Sequence, residues 1–538
     1  MYQYNIRTYI NGFIALAIVA GQSYAAEIQH GKESIKKPNI LLIVADDMGY
    51  TDIGQSGGEI KTPNIDKLAQ GGVTFTNFYN MARCWPSRAA LLTGRYPHEV
   101  GMGGEMQYTD DKGQQFPSEP TGPFQGYLSF DVPTIPEVLH TKGYKNYAVG
   151  KWHLGEQQSS WPTNRGFDHY FGPVTGTDSY FSQYMNPTRK RTFLDDDKEW
   201  QVPESGYYAT TEFTLRGVNM LKQHAQHYPD SPFFFYAAYT APHWPLHALR
   251  ADITKYQGKY DEGWDVIRQR RFENAKKKGM LPKNAKISPR PDGIPAWDSL
   301  SDAEKIHWAD RMEVYAAMVD RLDIGIGKLV STLKETGQLE NTIILFFSDN
   351  GASKEDLMNF DFYQKINDPN VKVGDKGSIF GQQEPWANVS NSPYRYYKKY
   401  MFEGGIKSPL IINWPDRIAN LGTINTNIGH VIDLMPIILR VSNAEYPAIT
   451  RSPALSSLPG IDLLDDSQLT KQRKLFWSHF GQHAMRDGDW KIIKIEGETW
   501  QLYNLHDDPT ELHDIASAHI ALVERLSDEF ETWLQTQF

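Results

Sequence analysis

The sequence predicts an α/β protein, a sheet rich in parallel strands with helices between them, followed by a smaller C-terminal α+β unit. Three observations predict it. Residues 39–45, 232–239 and 341–348 are continuous apolar runs of strand length, and runs without alternation read as strands buried on both faces, the habit of parallel sheets. Segments with helical spacing lie between them. Near the C terminus the pattern changes to short strand-like segments around Asp487-Gly488, a turn signal between antiparallel strands.

The chain has 538 residues, of which 40% are hydrophobic and 22% charged, so it is an ordinary globular composition long enough for more than one domain. The expected division is a signal peptide at 1–25, a catalytic domain at 37–442, a linker at 443–460 and a C-terminal subdomain at 461–538. The signal is read from Arg7, the apolar run 13–20 and the small-x-small site Ser23-Tyr24-Ala25. That run is too short to span a bilayer, which takes about 20 apolar residues, and it holds no cysteine for a lipid. The expectation is a periplasmic or secreted protein with no stable membrane anchor. The net charge of -10 gives no reason to expect nucleic acid as a partner. Aromatic residues make up 13%, which is read first as large cores and second as stacking surfaces.

Taken in order, the strand 39–45 ends in Asp46-Asp47. Carboxylates there stand where open α/β sheets build sites, although on these residues alone a solvated turn reads as well. Residues 62–69 form a helix, and 73–79 alternate like a strand leading to Cys84. Cys84 is the only cysteine, so it is either an inert buried thiol or a reactive one. Pro86 suits a first helical position, 87–92 continue the helix, and Thr93-Gly94 stops it. Cys84 thus sits at a helix N-terminus, which favours anions, with Arg88 one turn on.

Residues 134–140 form a helix, and the short strand 147–150 runs into Lys151 and His153. As alternate residues of an extended segment, these two face one side. Residues 167–200, rich in Gly, Asp and Tyr, are an irregular stretch of the kind that walls a binding site. A helix at 211–227 precedes the strand 232–239, with His243 just beyond. The segment 258–278 is largely helical, and its Arg268, Arg270, Arg271, Lys276, Lys277 and Lys278 are expected on a solvated face. A long helix at 303–336, the strand 341–348, a strand at 409–413 and a helix at 428–441 complete the main unit. Strands within 484–493 and at 500–503 and a final helix at 515–536 follow. There is no internal repeat.

Cys84-Trp85-Pro86-Ser87-Arg88 with the trailing Leu91-Leu92-Thr93-Gly94-Arg95 resembles the signature of the formylglycine-dependent (type I) sulfatases. The opening from Pro38 to Gly49, the G-K-W-H-L-G run from Gly150 and the S-D-N-G turn from Ser348 resemble the same family; A-P-H-W-P around His243 is similar to its bacterial arylsulfatase branch. The resemblance covers nearly the whole mature chain. It implies an alkaline-phosphatase-like fold, a mixed, mostly parallel sheet sandwiched by helices. It also implies that a formylglycine-generating enzyme oxidises Cys84 to the aldehyde. Asp46, Asp47, Asp349, Asn350 and the modified residue 84 would hold one cation. Those side chains supply oxygens, which suit a hard ion: Ca2+ first, Mg2+ second.

The roles implied by the family are catalytic. Arg88 and Lys151 orient the nucleophile; His243 and Lys398 meet the sulfate and protonate the leaving alcohol; His153 takes a proton from the second hydroxyl. Lys398 stands six residues before Gly404, and the adjacent Lys399 leaves that register open by one. The implied substrate is an aryl or carbohydrate sulfate ester, including sulfated glycans. Two alternatives are a phosphonate or phosphodiester hydrolase, whose substrate carries the same single charge, and a non-catalytic binder of sulfated glycans. Trp85, His98, Trp152 and Trp244 are candidates for the leaving-group pocket, with core packing an equal reading.

Overall fold

Strand β1 (Asn39–Ala45) is buried along its whole length, because both of its faces are covered. In the computed structural model, Ile40, Leu42 and Val44 join one apolar cluster, and Leu41, Ile43 and Ala45 join another. The structure describes residues 36–537, apart from 105–107, 110–114, 117–121, 177–178, 187–188, 356, 360, 369, 420, 450–454, 456 and 470–471. The expected signal peptide, 1–25, lies outside the described residues.

The main sheet also contains β2 (Gly72–Tyr79), β3 (Lys145–Gly150), β4 (His169–Pro173), β5 (Phe193–Asp195), β6 (Lys198–Glu199), β7 (Phe233–Ala238), β8 (Thr342–Ser348), β9 (Leu410–Asn413) and β10 (Thr423–His430). Its spatial order is β6-β5-β4-β3-β7-β1-β8-β9-β2-β10. The central block β4-β3-β7-β1-β8 is parallel throughout. Antiparallel pairs join β8 to β9 and β9 to β2, and β4 to β5. The sheet is therefore mixed and mostly parallel, as expected.

Helices cover both faces. On one side lie α1 (Pro63–Gln70), α3 (Ala209–His227) and the 34-residue α5 (Asp302–Glu335). A capping box between Ser301 and Glu304 starts α5. On the other lie α2 (Cys84–Thr93) and α6 (Leu434–Ser442). A second sheet, β11 (Lys474–His479), β12 (Gln482–Asp487), β13 (Trp490–Lys494) and β14 (Gln501–Asn504), is antiparallel. Met485, Ile492 and Leu502 on one face of it pack on Leu526 and Phe530 of α7 (Ile520–Gln535). Its other face, with Leu475, Trp477 and Ile493, merges into the large core.

Three expectations need correction. The stretch 167–200 is not wholly irregular, for β4, β5 and β6 extend the main sheet from it. The helix expected at 428–441 begins only at Leu434, because Thr423–His430 pairs with β2. Of the basic segment in α4 (Gly263–Lys277), Arg270 and Lys276–278 are exposed, but Arg268 and Arg271 are buried. Arg271 meets Asp52 at 2.6 Å and Glu59 at 2.7 Å, and Arg268 donates to the Asn388 and Ser288 carbonyls. A charge run reads as solvated only when its partners, far away in sequence, go unseen.

Candidate active site

Four neighbouring strands, β3, β7, β1 and β8, bring their carboxyl ends together at one edge of the sheet. Lys151 follows β3, His243 lies past β7, Asp46 and Asp47 follow β1, and Asp349 and Asn350 follow β8. β2 leads into the turn before Cys84, the first residue of α2. Ser87 Oγ accepts the Met81 N–H at 2.9 Å and Asn80 Oδ1 accepts the Ala82 N–H at 2.9 Å, which fixes that turn. Gly94, at φ 70, closes the helix. Asp47 is held at φ 64, a conformation uncommon for a side-chain-bearing residue. The expectation of a cysteine at a helix start beside two strand-end acids thus matches the placement of these residues.

Cys84 Sγ lies 3.3 Å from Asp46 Oδ1 and 3.8 Å from Asp47 Oδ1. Lys151 Nζ meets Asp46 Oδ2 at 2.6 Å. Arg88 donates from Nε to Asp349 Oδ2 at 2.9 Å and from Nη1 to the Lys151 carbonyl at 3.0 Å and the Tyr236 hydroxyl at 3.3 Å. Asn350 Nδ2 donates to Asp47 Oδ1 at 2.6 Å. Lys398 Nζ reaches Asp47 Oδ2 at 3.0 Å and His243 Nε2 at 3.1 Å. His243 Nδ1 is 2.6 Å from the Trp244 carbonyl, so it carries the proton and Nε2 accepts from Lys398. All these residues but the half-buried Trp244 are buried.

Burial and the charge of Asp46 push the Cys84 thiol well above the ordinary thiol range. The helix N-terminus does not win here; the expectation that its dipole would favour an anion is outweighed by the nearby carboxylate and the loss of water. Burial also opposes the charge of Asp46, but Lys151, Arg88 and Lys398 hold its carboxyl well below the usual range. Burial and Asp46 push Asp349 up to about 7 against Arg88 and Lys151. Burial lowers both His243 and His153, and for His153 the charges of Lys151 and Arg88 add to it.

His153 departs from the simple alternation expected of it. β3 ends at Gly150, and His153 sits at φ 61 with its ring 5.3 Å from that of Trp85. A methyl group added at Gly176 would lie 2.2 Å from His153 Nε2, so that glycine leaves room for the ring. Lys398, and not Lys399, enters the cluster. Lys399 instead pairs with Glu355 at 2.5 Å.

The carboxylate and amide oxygens gathered here fit a hard cation, whereas the Cys84 sulfur and the His243 nitrogen beside them are softer donors. The side-chain ligand atoms of Asp46, Asp47, Cys84 and His243 lie within 4.8 Å of one another. Asn350 Oδ1 is buried and accepts no hydrogen bond among the described residues, which is costly unless something positive faces it. Asp349 beside Asp46 is a further acid whose charge a cation would stabilise.

Sequence reasoning missed two supports. Glu355 accepts from Trp244 Nε1 at 2.8 Å and meets Lys398 at 3.3 Å; it stands in a loop with no periodicity to flag it. Tyr236 carries its hydroxyl to Arg88 from inside β7, and its alternation with Phe234 and Ala238 would have placed it on the α2 side. Of the candidate pocket residues, Trp152 is core, donating to the Ser160 carbonyl at 2.9 Å, and His98 is buried against Phe124 and Trp533. Trp85 and Trp244 adjoin the site.

Buried carboxylates and cationic side chains gathered around the first residue of a helix, at a sheet edge, make a site suited to an anionic ester. The comparisons make this specific. The Sulfatase family model matches residues 38–444, and the model for the C-terminal part of N-sulphoglucosamine sulphohydrolase matches 393–536. The chain is 34% identical to an uncharacterized sulfatase of Schizosaccharomyces pombe, covering 93% of each chain. It is 31% identical to an arylsulfatase of Klebsiella aerogenes, over 83% of this chain and 93% of that one. The crystal structure of Ps i-CgsB in complex with k-i-k-neocarrahexaose superposes with a TM-score of 0.66 at 27% identity, covering 92% of both chains. The chain belongs to the sulfatase family and is by class a sulfuric ester hydrolase.

Proposed function

We propose that the protein releases inorganic sulfate from an aryl or carbohydrate sulfate ester, using formylglycine made from Cys84 as its nucleophile. The observation that carries this reading is the placement of Cys84 Sγ, buried 3.3 Å from Asp46 Oδ1, where burial and the carboxylate's charge oppose a thiolate. A sulfur nucleophile is disfavoured there; an aldehyde hydrate needs no thiolate. A formylglycine-generating enzyme is the maturation partner this requires.

Asp46, Asp47, Asp349 and Asn350, with residue 84, would hold one cation, Ca2+ ahead of Mg2+. Such an ion neutralises charge on the ester and acidifies a bound hydroxyl. The chain's own residues do the rest. One hydroxyl at position 84 attacks sulfur and the S–O bond to the alcohol breaks. Lys398, donating to His243 Nε2, makes that pair the proton source for the departing alkoxide. His153 takes the proton of the second hydroxyl, the bond to sulfate breaks, and the aldehyde returns. A serine would stop at a stable sulfate ester. Arg88 and Lys151 supply fixed positive charge to the site, the kind of preorganisation that usually contributes most.

The carbohydrate bound to Ps i-CgsB supports a sugar sulfate as natural substrate. Residues 1–25 are proposed to be a cleaved secretory signal, placing the enzyme in the periplasm or outside the cell; no described helix is long and apolar enough to cross a membrane. The remaining chain divides in this reading into the catalytic domain 37–442 and the subdomain 461–538. The test is sulfate release from 4-nitrophenyl sulfate and from sulfated mono-, oligo- and polysaccharides, with phosphodiesters alongside. Sulfate release at rates above phosphodiester cleavage is expected; the reverse order would hand the site to phosphodiester chemistry.

A further inference from the structure

The hairpin joining β11 and β12 pairs His479 directly with Gln482, so Phe480 and Gly481 are its whole loop. Both have positive φ, 47 and 70, as the two-residue turns that fit strand twist require. Asn, Asp or Gly ordinarily fill the first of these positions, because a bulky side chain there is strained. Phe480 takes it nonetheless, and its side chain remains 47% exposed. The local sequence rule is broken at a hairpin tip, the kind of violation that clusters at functional sites.

The tip reaches the catalytic edge of the main sheet. Trp85, next to Cys84, stands with its ring 5.3 Å from His153 on one side and 5.5 Å from His479 and 6.4 Å from Phe480 on the other. The Arg83 guanidinium lies over the Trp85 ring at 4.2 Å and over Phe480 at 5.1 Å, holding the two aromatic faces together. Trp85 also donates from Nε1 to the Gly104 carbonyl at 2.7 Å, which fixes its orientation. An aromatic wall therefore leads from the residues around position 84 to an exposed ring on the C-terminal sheet.

We propose that Phe480 is a specificity-determining residue: the exposed face of its ring stacks against the cyclic leaving group of the ester, with Trp85 and Arg83 as its fixed backing. The shared chemistry is a six-membered ring with an apolar face, the π face of an aryl group or the C–H face of a pyranose. The inference rests on the sulfatase reading of the site and adds which surface reads the alcohol. It gives the C-terminal sheet a part in substrate choice, while bond cleavage stays with the main sheet.

The test compares wild type with Phe480→Asn and Phe480→Trp on 4-nitrophenyl sulfate and galactose 6-sulfate. Asparagine suits the left-handed turn position, so a Tm no lower than that of wild type shows that the hairpin still forms. Loss of an aromatic contact of this kind corresponds to roughly a three- to tenfold rise in KM. That rise is expected for Phe480→Asn on at least one ester, with kcat and inhibition by inorganic sulfate nearly unchanged, and with recovery in Phe480→Trp. A rise on one ester alone identifies the ring class the wall accepts. KM unchanged on every ester the wild type turns over would overturn the proposal and leave the sulfatase reading standing, whereas a wild type that cleaved neither ester would bring down that reading and this inference with it.

Discussion

Lys398 and Lys399 are neighbours in sequence and opposites in environment. Lys398 is 4% exposed and lies between Asp47 and His243, while Lys399 is 38% exposed and answers only Glu355 among the ion pairs of the described residues. Burial opposes the Lys398 charge, but the Asp47 and Glu355 carboxylates outweigh it and hold its pKa well above the ordinary lysine range. That shift holds the proton on Lys398 more tightly, so its proposed role as donor rests on position, with Nζ 3.1 Å from His243 Nε2. Lys398→Ala is therefore expected to lower kcat by roughly 10²- to 10⁴-fold, the usual cost of losing a general acid. Lys399→Ala removes only an outer charge and should lower it far less. Steady-state kinetics of both variants on one ester checks this, and equal losses would contradict the assignment. The spacing to Gly404 pointed to Lys398, but the neighbouring lysine left it open until the backbone was traced. At Lys399 that backbone turns through φ 80, which sends the two side chains apart.

At the scale of elements, what was legible depended on how far apart the interacting residues are. β1, β7 and β8 were readable because a strand buried on both faces must be apolar at every position, a property of the strand itself. The strand ends followed, and Asp46, Asp47, His243, Asp349 and Asn350 stand there, although it was the resemblance to the sulfatase motifs that singled them out. α2 was readable from Pro86 and Gly94, both local signals. The end of β10, residues 428–430, was misread as helix because Thr423–His430 is a strand only through pairing with β2, some 350 residues earlier. β4, β5 and β6 are short and lie toward one edge, so no apolar run announced them. Arg271 read as a surface charge for the same reason; Asp52 and Glu59, which bury it, are more than 200 residues away. Aligned with a neighbouring chain segment, none of these partners leaves a mark on local periodicity.

In the whole molecule, a buried ionic junction ties the C-terminal sheet to the main one. Lys491 of β13 meets Glu403 at 2.8 Å and Glu511 at 2.7 Å, and the Glu511 carboxylate accepts the Glu403 N–H at 2.8 Å. Arg486 of β12 also reaches Tyr79 at the end of β2. Arg486 thus joins to the main sheet the same strand, β12, whose other end leaves the turn that carries Phe480. Lys491→Met would leave two buried carboxylates short of their shared cation, and breaking a buried pair in this way costs about 3–5 kcal/mol. Denaturant unfolding should show that loss as a lower midpoint, and an unchanged midpoint would mean the junction contributes nothing net. The central claim, however, concerns residue 84. The most direct measurement is sulfate release per mole of protein against the fraction of residue 84 found as aldehyde by peptide mass analysis, across preparations of differing maturation. The account predicts a rate proportional to the aldehyde fraction and falling to zero with it; full activity in protein whose Cys84 thiol is intact would contradict it.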